Sequence, residues 1–330
     1  MQITTLVPAY KPKYLVELLS SMRHQTVKPA RIIISDDSPS QAFVATLSAE
    51  PLKGLVADLN VEVVAGPRLG AYSNIRYLMH LYGKQTSLFH ILMDDDIPYP
   101  KFYERHLQAH RTASLCAVVS RRWTALESGQ PIRDLSPPDA VCNHPQRMLA
   151  LDASILFDHT VASSANWLGE FSNATFSADM VDEIDDPSLD GICFTGLEDL
   201  GAFLKASLHG QVGYINEHLG FFRTSADQHS ANPMGRPMKL AFLAYMALAI
   251  AALRLGRLTV SQCHLVLEKV CPLIRYHYGS EFDMVEMCAQ MPRLATGEPA
   301  AVTEFLAHWH VFSGSEARAS LSEIVAAARY

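Results

Sequence analysis

The sequence predicts an α/β fold, a mostly parallel sheet flanked by helices and followed by a helical C-terminal region. Three observations lead to this prediction. Over the first hundred residues, short apolar runs rich in β-branched side chains alternate with amphipathic runs of helical period. Acidic side chains stand directly after several of these apolar runs. From Arg236 onward almost every segment has a helical pattern.

The composition is that of a globular protein with a sizeable core, with 49% hydrophobic and 18% charged residues among 330. A net charge of −7 and the lack of a basic block argue against a nucleic-acid partner. The six cysteines are scattered without CxxC spacing, so we expect neither a disulfide framework nor a zinc site, and a cytoplasmic location. The N-terminal residues lack the basic region of a signal peptide.

The first hundred residues contain four predicted strands separated by three predicted helices. Such alternation is typical of βαβ units, which build a parallel sheet covered by helices on both faces. In an open sheet of this kind, ligands bind beyond the carboxyl ends of the strands. The predicted strands are 3–10, 30–37, 60–66 and 87–96, and the predicted helices are 13–25, 41–54 and 71–83.

Polar side chains stand at or just beyond the ends of these predicted strands. Because the carboxyl ends of parallel strands meet at one edge of a sheet, we expect these side chains to form one binding site. The residues are Tyr10, Asp36, Asp37, Arg68 and Asp94 to Asp96.

The aspartate triplet in "FHILMDDDIPYP" is the strongest of these signals. Like charges this close repel one another and need a compensating positive charge. A lone acid such as Asp96 is also explained by a helix N-terminus, but only one of three acids can serve there. Side-chain alternation along a strand places Asp94 and Asp96 on one face and Asp95 on the other. Such a pair suits a hard divalent cation, Mg²⁺ or Mn²⁺.

The pair Asp36 and Asp37 closes the second predicted strand, and Tyr10 follows the first. A turn explains "SDDSP" equally well, because these residue types favour turns. If the site is functional, we expect the carboxylates and the aromatic ring to form a pocket for a nucleoside. The stretch "GPRLGAYSN", with Arg68, precedes a helix and offers a weak phosphate-binding signal, because it matches neither a Walker motif nor GxGxxG.

The middle of the chain, residues 101–235, has a less regular pattern. We expect a strand in "SLCAVVSRRWTAL", a pocket-lining loop and short helix in "SANWLGEFSNATFSADMVDEI", a helix from about Leu197, and a strand in "GYINEHLGFFRT". Glu198 and Asp199 stand at the predicted helix start, where they are either favourable N-terminal charges or a general base. His229 lies in a polar loop and is either ordinary surface or a metal ligand.

The apolar run Leu240 to Leu253 is too short for a membrane span, which needs about 20 residues. A helix that is apolar on nearly all sides is buried all round. We therefore expect a helical bundle that either caps the acceptor side of the sheet or forms a homodimer. Shallow contact with a membrane face is the weaker alternative, because the run lacks a basic polar side.

The segments "TTLVPAY", "IIISDDS", "LGAYSNIRY", "ILMDDDIPYP" and "TGLEDLGAFLKASLHG" occur in the order and rough spacing of family 2 glycosyltransferases. The sequence resembles this family over about residues 1–230. The resemblance implies the GT-A fold and non-processive, inverting transfer of a sugar from a nucleotide-sugar, with a UDP-sugar favoured, to an acceptor hydroxyl. It implies a Mn²⁺ or Mg²⁺ cofactor and divides the chain into a nucleotide-sugar-binding half (1–100), an acceptor-binding half (101–235) and a helical region (236–330).

The resemblance also implies roles for individual residues. Asp199 matches the catalytic base and Asp96, with Asp94, the metal-binding acids, and His229 resembles a histidine that faces the diphosphate or metal. Trp167 is a candidate for stacking on the acceptor, with a core position as the alternative, and Glu198 is a second acceptor candidate. The positions that match the nucleotide site are Pro8, Ala9, Tyr10, Asp36, Asp37, Arg68, Asn74, Asp94 and Asp95.

The sequence departs from the family pattern at three points. Lys11 stands where many members have asparagine, Ser38-Pro39 replaces glycine-serine, and the Q-x-x-R-W element of processive synthases is absent. The expected acceptor is a glycan, a lipid-linked molecule or a protein, reached in the cytoplasm or at a membrane face. Two other functions fit strand-end aspartates. One is a nucleotidyltransferase, disfavoured because no glycine-rich loop follows the first strand, and the other is a non-catalytic nucleotide-sugar-binding scaffold.

Overall fold

The structure, a computed structural model, describes residues 1–47, 52–225, 228, 232–314 and 318–328. The strands are β1 (Ile3–Ala9), β2 (Arg31–Asp36), β3 (Val61–Ala65), β4 (Leu88–Ile91), β5 (Ile97–Pro98), β6 (Leu115–Ala125), β7 (Pro131–Asp134), β8 (Met148–Leu151), β9 (Ala174–Ser177), β10 (Ser188–Leu189), β11 (Ile192–Cys193) and β12 (Gln211–Arg223).

The helices lie between these strands and in the C-terminal region. They are α1 (Leu15–Arg23), α2 (Ala42–Leu47), α3 (Leu52–Val56), α4 (Ala71–Tyr82), α5 (Phe102–Thr112), α6 (Asp139–Cys142), α7 (Ala153–His159), α8 (Val181–Asp185), α9 (Glu198–His209), α10 (Arg236–Arg254), α11 (Val260–Tyr278), α12 (Val285–Ala295), α13 (Pro299–Phe312) and α14 (Leu321–Ala327).

Within the described ranges, one ten-stranded sheet has the order β3-β2-β1-β4-β9-β6-β12-β5, with β7 beside β6 and β8 beside β12. Strands β3, β2, β1 and β4 are parallel, and β12 is parallel to β6. Strand β9 is antiparallel to both of its neighbours, β4 and β6. Six strands therefore run in one direction, and their carboxyl ends meet at one edge of the sheet. The start of β9 reaches the same edge.

The four strands and three helices predicted in the first hundred residues are confirmed, with two differences of detail. The predicted helix 41–54 is divided between α2 and α3, and residues 48–51 lie outside the described ranges. The predicted strand 87–96 ends early, because β4 stops at Ile91 and a turn follows. The aspartate triplet lies in this turn, so the expectation from strand alternation was wrong.

Strand β9 was missed by the sequence analysis, which assigned its residues to a loop and short helix. The four-residue segment "ATFS" is too short to show an alternating pattern. Its position is central nonetheless: Ala174 and Phe176 are fully buried, and Phe176 stacks on Phe89 of β4 with ring centroids 5.5 Å apart. Packing against the neighbouring strands therefore sets this strand.

The C-terminal helices α10 and α13 pack on the two-stranded sheet of β10 and β11, and α14 packs on α4. Neither the expected cap on the acceptor side nor the expected homodimer is tested by these contacts. Buried side chains of α10 belong to the same hydrophobic core as those of β4, β6 and β9. Trp309 of α13 is 1% exposed, and its indole Nε1 donates a hydrogen bond to the Cys193 carbonyl at 2.8 Å. Helix α10 is long and apolar enough to cross a membrane by length and composition alone, but 56% of its most apolar window is buried.

Helix α14 packs on α4, which itself packs on β1 and β2. Ile324 of α14 is fully buried against Tyr77 of α4. Arg76 of the same helix α4 donates a hydrogen bond to the Ala319 carbonyl at 2.7 Å and forms an ion pair with Asp185 at 2.8 Å. The helical C-terminal region is therefore joined to β11 through α13 and to α4 through α14.

Candidate active site

The turn after β4 is tied to the end of β1. Oδ2 of Asp94 accepts hydrogen bonds from the backbone N–H groups of Tyr10 and Lys11, each at 2.5 Å. Burial raises the pKa of Asp94 to about 6, although these two N–H groups act in the opposite direction. Nζ of Lys11 lies 2.8 Å from Oδ2 of Asp95. Lys11 therefore supplies positive charge directly to the aspartate triplet.

Asp96 is the most buried aspartate of the triplet, with 1% of its surface exposed. Its Oδ1 accepts a hydrogen bond from the backbone N–H of Arg223 at 3.0 Å, whereas its Oδ2 is buried without a hydrogen-bond partner among the described residues. Burial, and next the charge of Asp95, raise the pKa of Asp96 well above its usual range, and the hydrogen bond from the Arg223 N–H offsets only part of this rise. A buried carboxylate oxygen without a partner is costly unless a ligand binds it.

Arg223, at the end of β12, contacts the turn that holds the aspartate triplet, and its side chain is fully buried. Its Nε donates to the Asp95 carbonyl at 2.9 Å, and its guanidinium also bonds to Glu17 and to the Glu127 carbonyl. The guanidinium lies 4.4 Å from the centre of the Tyr14 ring. The end of β12 therefore carries a second positive charge at the acidic turn.

Oδ2 of Asp96 is a hard oxygen ligand without a protein partner among the described residues, which is the chemistry that a divalent cation such as Mg²⁺ needs. Among the described residues there is no group of three or more His, Cys, Asp and Glu side chains arranged around a common metal position. Asp96 offers a buried oxygen without a partner among the described residues, and the charge of Asp95 acts on this carboxylate, whereas Asp94 is bound to the backbone of Tyr10 and Lys11. Mg²⁺-type sites commonly use one or two carboxylates and complete their coordination with water and phosphate oxygens. His229 lies outside the described residues.

The carboxylates at the end of β2 have different environments. Asp36 is fully buried, and its oxygens accept hydrogen bonds from Ser38 and from the Val44 N–H at 3.1 Å, so it organises the following loop. Asp37 is partly exposed, and its Oδ1 accepts from the Arg68 N–H at 2.5 Å. Burial raises the pKa of Asp37, and the Arg68 N–H partly offsets this rise. Asp37 is therefore the member of the pair that is accessible from solvent.

The loop after β3 approaches Asp37 closely. A Cβ atom added to Gly66 would lie 2.5 Å from Oδ1 of Asp37, so no larger residue fits without displacing this carboxylate. Arg68, in the same loop, has a positive φ of 57° and an exposed side chain. Asn74 is 1% exposed and donates to the Ser35 carbonyl at 3.2 Å, so it holds α4 against β2.

Only one of the three matched residues at the end of β1 is accessible. Pro8 and Ala9 are buried in the strand, whereas 57% of the Tyr10 surface is exposed. The backbone N–H of Asp37 donates to the Ala9 carbonyl at 2.8 Å. Tyr10 and Asp37 therefore stand at neighbouring positions of the same edge.

The segment from Glu170 to Asn173 precedes β9 and makes hydrogen bonds both to Asp199 and to the turn after β4. Asp199 lies in the first turn of α9, and its Oδ1 accepts a hydrogen bond from the Phe171 N–H at 3.0 Å. Glu170 forms a two-pronged ion pair with Arg122 of β6, with Nε to Oε2 at 2.8 Å. Ser172 accepts from the Met93 N–H at 3.1 Å, directly before the aspartate triplet.

Burial raises the pKa of Asp199 well above its usual range. The negative charges of Glu170 and Glu198 raise it further, whereas the Phe171 N–H and Arg122 act in the opposite direction. Burial also raises the pKa of Glu198, which is close to Arg318. A carboxylate with these surroundings is a stronger base than a carboxylate in water.

Trp167 does not present a free face for an acceptor in this structure. It is 6% exposed and packs edge-on against Tyr214 with ring centroids 5.3 Å apart. Its position corresponds to the core alternative.

Four residues of the site were missed by the sequence analysis: Arg122, Glu170, Ser172 and Arg223. Arg122 and Arg223 stand near the ends of predicted strands, which is the same signal that identified the aspartates. Glu170 and Ser172 had no such signal, because the strand that they precede was not predicted.

No family model matches the sequence, and no curated protein is detectably similar to it. Solved structures do share the fold. TarS 1–349 of S. aureus in complex with UDP-GlcNAc is similar with a TM-score of 0.54 and 12% identity over 96% of this chain and 92% of that chain. The same protein in complex with UDP gives a TM-score of 0.58 and 11% identity over 96% and 91%. The mannosyltransferase PcManGT from Pyrobaculum calidifontis, in complex with GDP-Man and Mn²⁺, gives 0.51 and 13% over 96% and 86%.

At these identities the likeness establishes the fold. The curled mixed sheet flanked by helices is the GT-A fold, as the sequence analysis predicted.

Proposed function

We propose that this protein is a glycosyltransferase that transfers a sugar from a nucleotide-sugar to an acceptor hydroxyl, non-processively and with inversion. One observation carries the proposal: Asp37, the triplet Asp94 to Asp96, and Asp199 converge at one edge of a GT-A sheet. Known proteins with this fold include TarS in complex with UDP-GlcNAc and a mannosyltransferase in complex with GDP-Man and Mn²⁺.

The donor lies across the carboxyl ends of β1, β2 and β4 in this proposal. The exposed ring of Tyr10 stacks on the base, and the Asp37 carboxylate accepts a hydrogen bond from the base or the ribose. The diphosphate lies next to Lys11 and Asp96. A UDP-sugar is favoured because the acidic pair matches the family element that contacts uracil or ribose.

Asp96, assisted by Asp94, is the proposed ligand of Mn²⁺ or Mg²⁺. When bound, the ion supplies Lewis-acid stabilisation of the charge that develops on the leaving nucleoside diphosphate. The chain's own contribution is to hold the Asp96 carboxylate by the Arg223 N–H, with its other oxygen free for a ligand. His229 remains a proposed additional ligand.

Asp199 is the proposed general base. It removes the proton from the acceptor hydroxyl while the oxygen attacks the anomeric carbon from the face opposite the leaving group. One bond forms from the acceptor oxygen to the anomeric carbon, the bond to the diphosphate oxygen breaks, and the proton remains on Asp199. The hydrogen bond from the Phe171 N–H fixes the orientation of the carboxylate.

The acceptor is a glycan, a lipid-linked molecule or a protein, and Glu198 is a proposed contact. We also propose a cytoplasmic location, in solution or at a membrane face, in keeping with six free cysteines. The division at residues 100 and 235 into donor, acceptor and helical regions is part of the same proposal.

The test is to incubate the purified protein with UDP- and GDP-sugars, with and without Mn²⁺, and to measure both nucleoside diphosphate and pyrophosphate. A glycosyltransferase slowly releases nucleoside diphosphate through transfer to water, and release increases with the correct acceptor. Release of pyrophosphate in the presence of a sugar phosphate and a nucleoside triphosphate identifies a nucleotidyltransferase instead. A protein that binds nucleotide-sugars but releases neither product is a binding scaffold.

A further inference from the structure

The ion pair between Arg122 and Glu170 lies in the candidate active site but has no part in the donor chemistry proposed above. Arg122 is 5% exposed, and its Nε and Nη2 bond to the two carboxylate oxygens of Glu170. Its remaining Nη1 lies 2.5 Å from the Thr124 hydroxyl. A buried guanidinium is retained only where its donors are satisfied, and a two-pronged geometry also fixes its orientation.

The pair lines a small cleft together with Asp96, Ser172 and Phe222. The Arg122 guanidinium lies 4.9 Å from the centre of the Phe222 ring, which closes one side of the cleft. Because Phe171 follows Glu170 directly, the backbone N–H that holds Asp199 belongs to the segment that Arg122 anchors. The position of Asp199 therefore depends on the ion pair through a single peptide unit.

Three charged side chains act on Asp199 from the elements around it. Glu198 precedes it on α9, Glu170 stands next to its hydrogen-bond partner, and the charge of Arg122 acts on it from β6. The two glutamates disfavour the ionised form of Asp199, and Arg122 favours it. The ion pair thus places two opposite charges beside the proposed base.

We propose that Arg122 and Glu170 form a positioning pair for Asp199, which orients its carboxylate and balances the charge beside it. The inference rests on the proposed function of Asp199 as general base. In this proposal neither side chain contacts the donor or the acceptor. The pair acts through Phe171 and through its electric field, so its loss changes the protonation of Asp199 as well as the rate.

The test is a ¹³C-NMR titration of the Asp199 carboxyl in the full chain labelled at aspartate, with Asp199→Asn to assign the signal. Glu170→Gln preserves the shape and one acceptor oxygen for Arg122 but removes the negative charge. Its Asp199 midpoint should fall by roughly one pH unit, because an unbalanced cation remains nearby. Arg122→Lys keeps the charge but loses the two-pronged geometry, so its midpoint should stay near that of the wild type. An unchanged or raised midpoint in Glu170→Gln would overturn the inference.

Kinetics provide a second readout. The acidic limb of kcat/KM should move with the NMR midpoint in Glu170→Gln, and Arg122→Lys should lower kcat by about tenfold with little change in donor KM. A wild-type protein that releases no nucleotide from any donor contradicts the proposed function, while the titration still decides whether the pair controls Asp199. An active wild type whose acidic limb is the same in Glu170→Gln contradicts the positioning role alone.

Discussion

Gly66 provides a sharp test of the nucleoside side of the site. A Cβ atom in Gly66→Ala would lie 2.5 Å from Oδ1 of Asp37 and 3.1 Å from the Asp36 carbonyl oxygen. The first distance is well inside van der Waals contact, so the Asp37 side chain has to rotate away. That rotation breaks its hydrogen bond with the Arg68 N–H and withdraws the carboxylate from the proposed nucleoside.

The expected loss follows from the kind of bond involved. Hydrogen bonds to a charged group contribute about 1.5–3 kcal/mol, which corresponds to a roughly 10- to 100-fold weaker affinity for UDP. The crowding itself should destabilise the fold by about 1–3 kcal/mol. Isothermal titration calorimetry with UDP measures the first effect and urea unfolding the second.

Gly54 is the matched control for this substitution. It lies within α3 and has no atom within 4 Å of an added Cβ. Gly54→Ala should therefore raise the free energy of unfolding by about 0.5–1 kcal/mol and leave UDP affinity unchanged. In an Asp37→Ala background, Gly66→Ala should add little further loss of affinity. A Gly66→Ala protein that binds UDP as tightly as the wild type would refute the placement of Asp37 in the nucleotide site.

Three further predictions follow from the structure. Asp199→Asn should lower turnover by roughly 10²–10⁴-fold while UDP affinity is retained, and an unaffected kcat would transfer the role of base to Glu198. Burial lowers the pKa of His110 to about 4, so its neutral form stabilises the fold above pH 6.5, and this stability is lost as the pH falls from 6.5 towards 4. Urea unfolding should therefore show that the free energy of unfolding of the wild type exceeds that of His110→Gln by about 2 kcal/mol less at pH 5 than at pH 7.5. A difference that is the same at both pH values would contradict the burial of a neutral imidazole. A chain ending at Gly235 should aggregate, because it exposes the core that α10 covers, and a soluble, active product would show the helical region to be dispensable.

The donor side of the fold was predictable because its signals are local. Continuous apolar runs such as "RIIIS" specify buried parallel strands, and the acids that follow them mark the functional edge. The position of Asp37 follows from this pattern alone. The difference in burial between Asp36 and Asp37 does not, because it depends on the loop after β3.

The acceptor side was less predictable because its contacts join distant parts of the chain. Arg122 and Glu170 are 48 residues apart, and Asp199 is 28 residues from Phe171. Such pairs exist only once β9 is placed between β4 and β6, and this strand has too few residues to be recognised. Lys11 shows the same limit, because its sequence position marked a departure from the family, while its ion pair with Asp95 requires the turn after β4.

The most direct test of the central claim, that the acidic turn binds a nucleotide-sugar through a divalent cation, is a calorimetric titration of UDP with and without Mn²⁺. The wild type should bind UDP at least about tenfold more tightly with Mn²⁺, and Asp96→Ala should lose this increase while its circular dichroism spectrum is unchanged. Removal of a carboxylate that burial already disfavours should leave the unliganded protein as stable as before, or slightly more so. Equal Mn²⁺-dependent affinity in the wild type and in Asp96→Ala, or no UDP binding by the wild type, would contradict the claim.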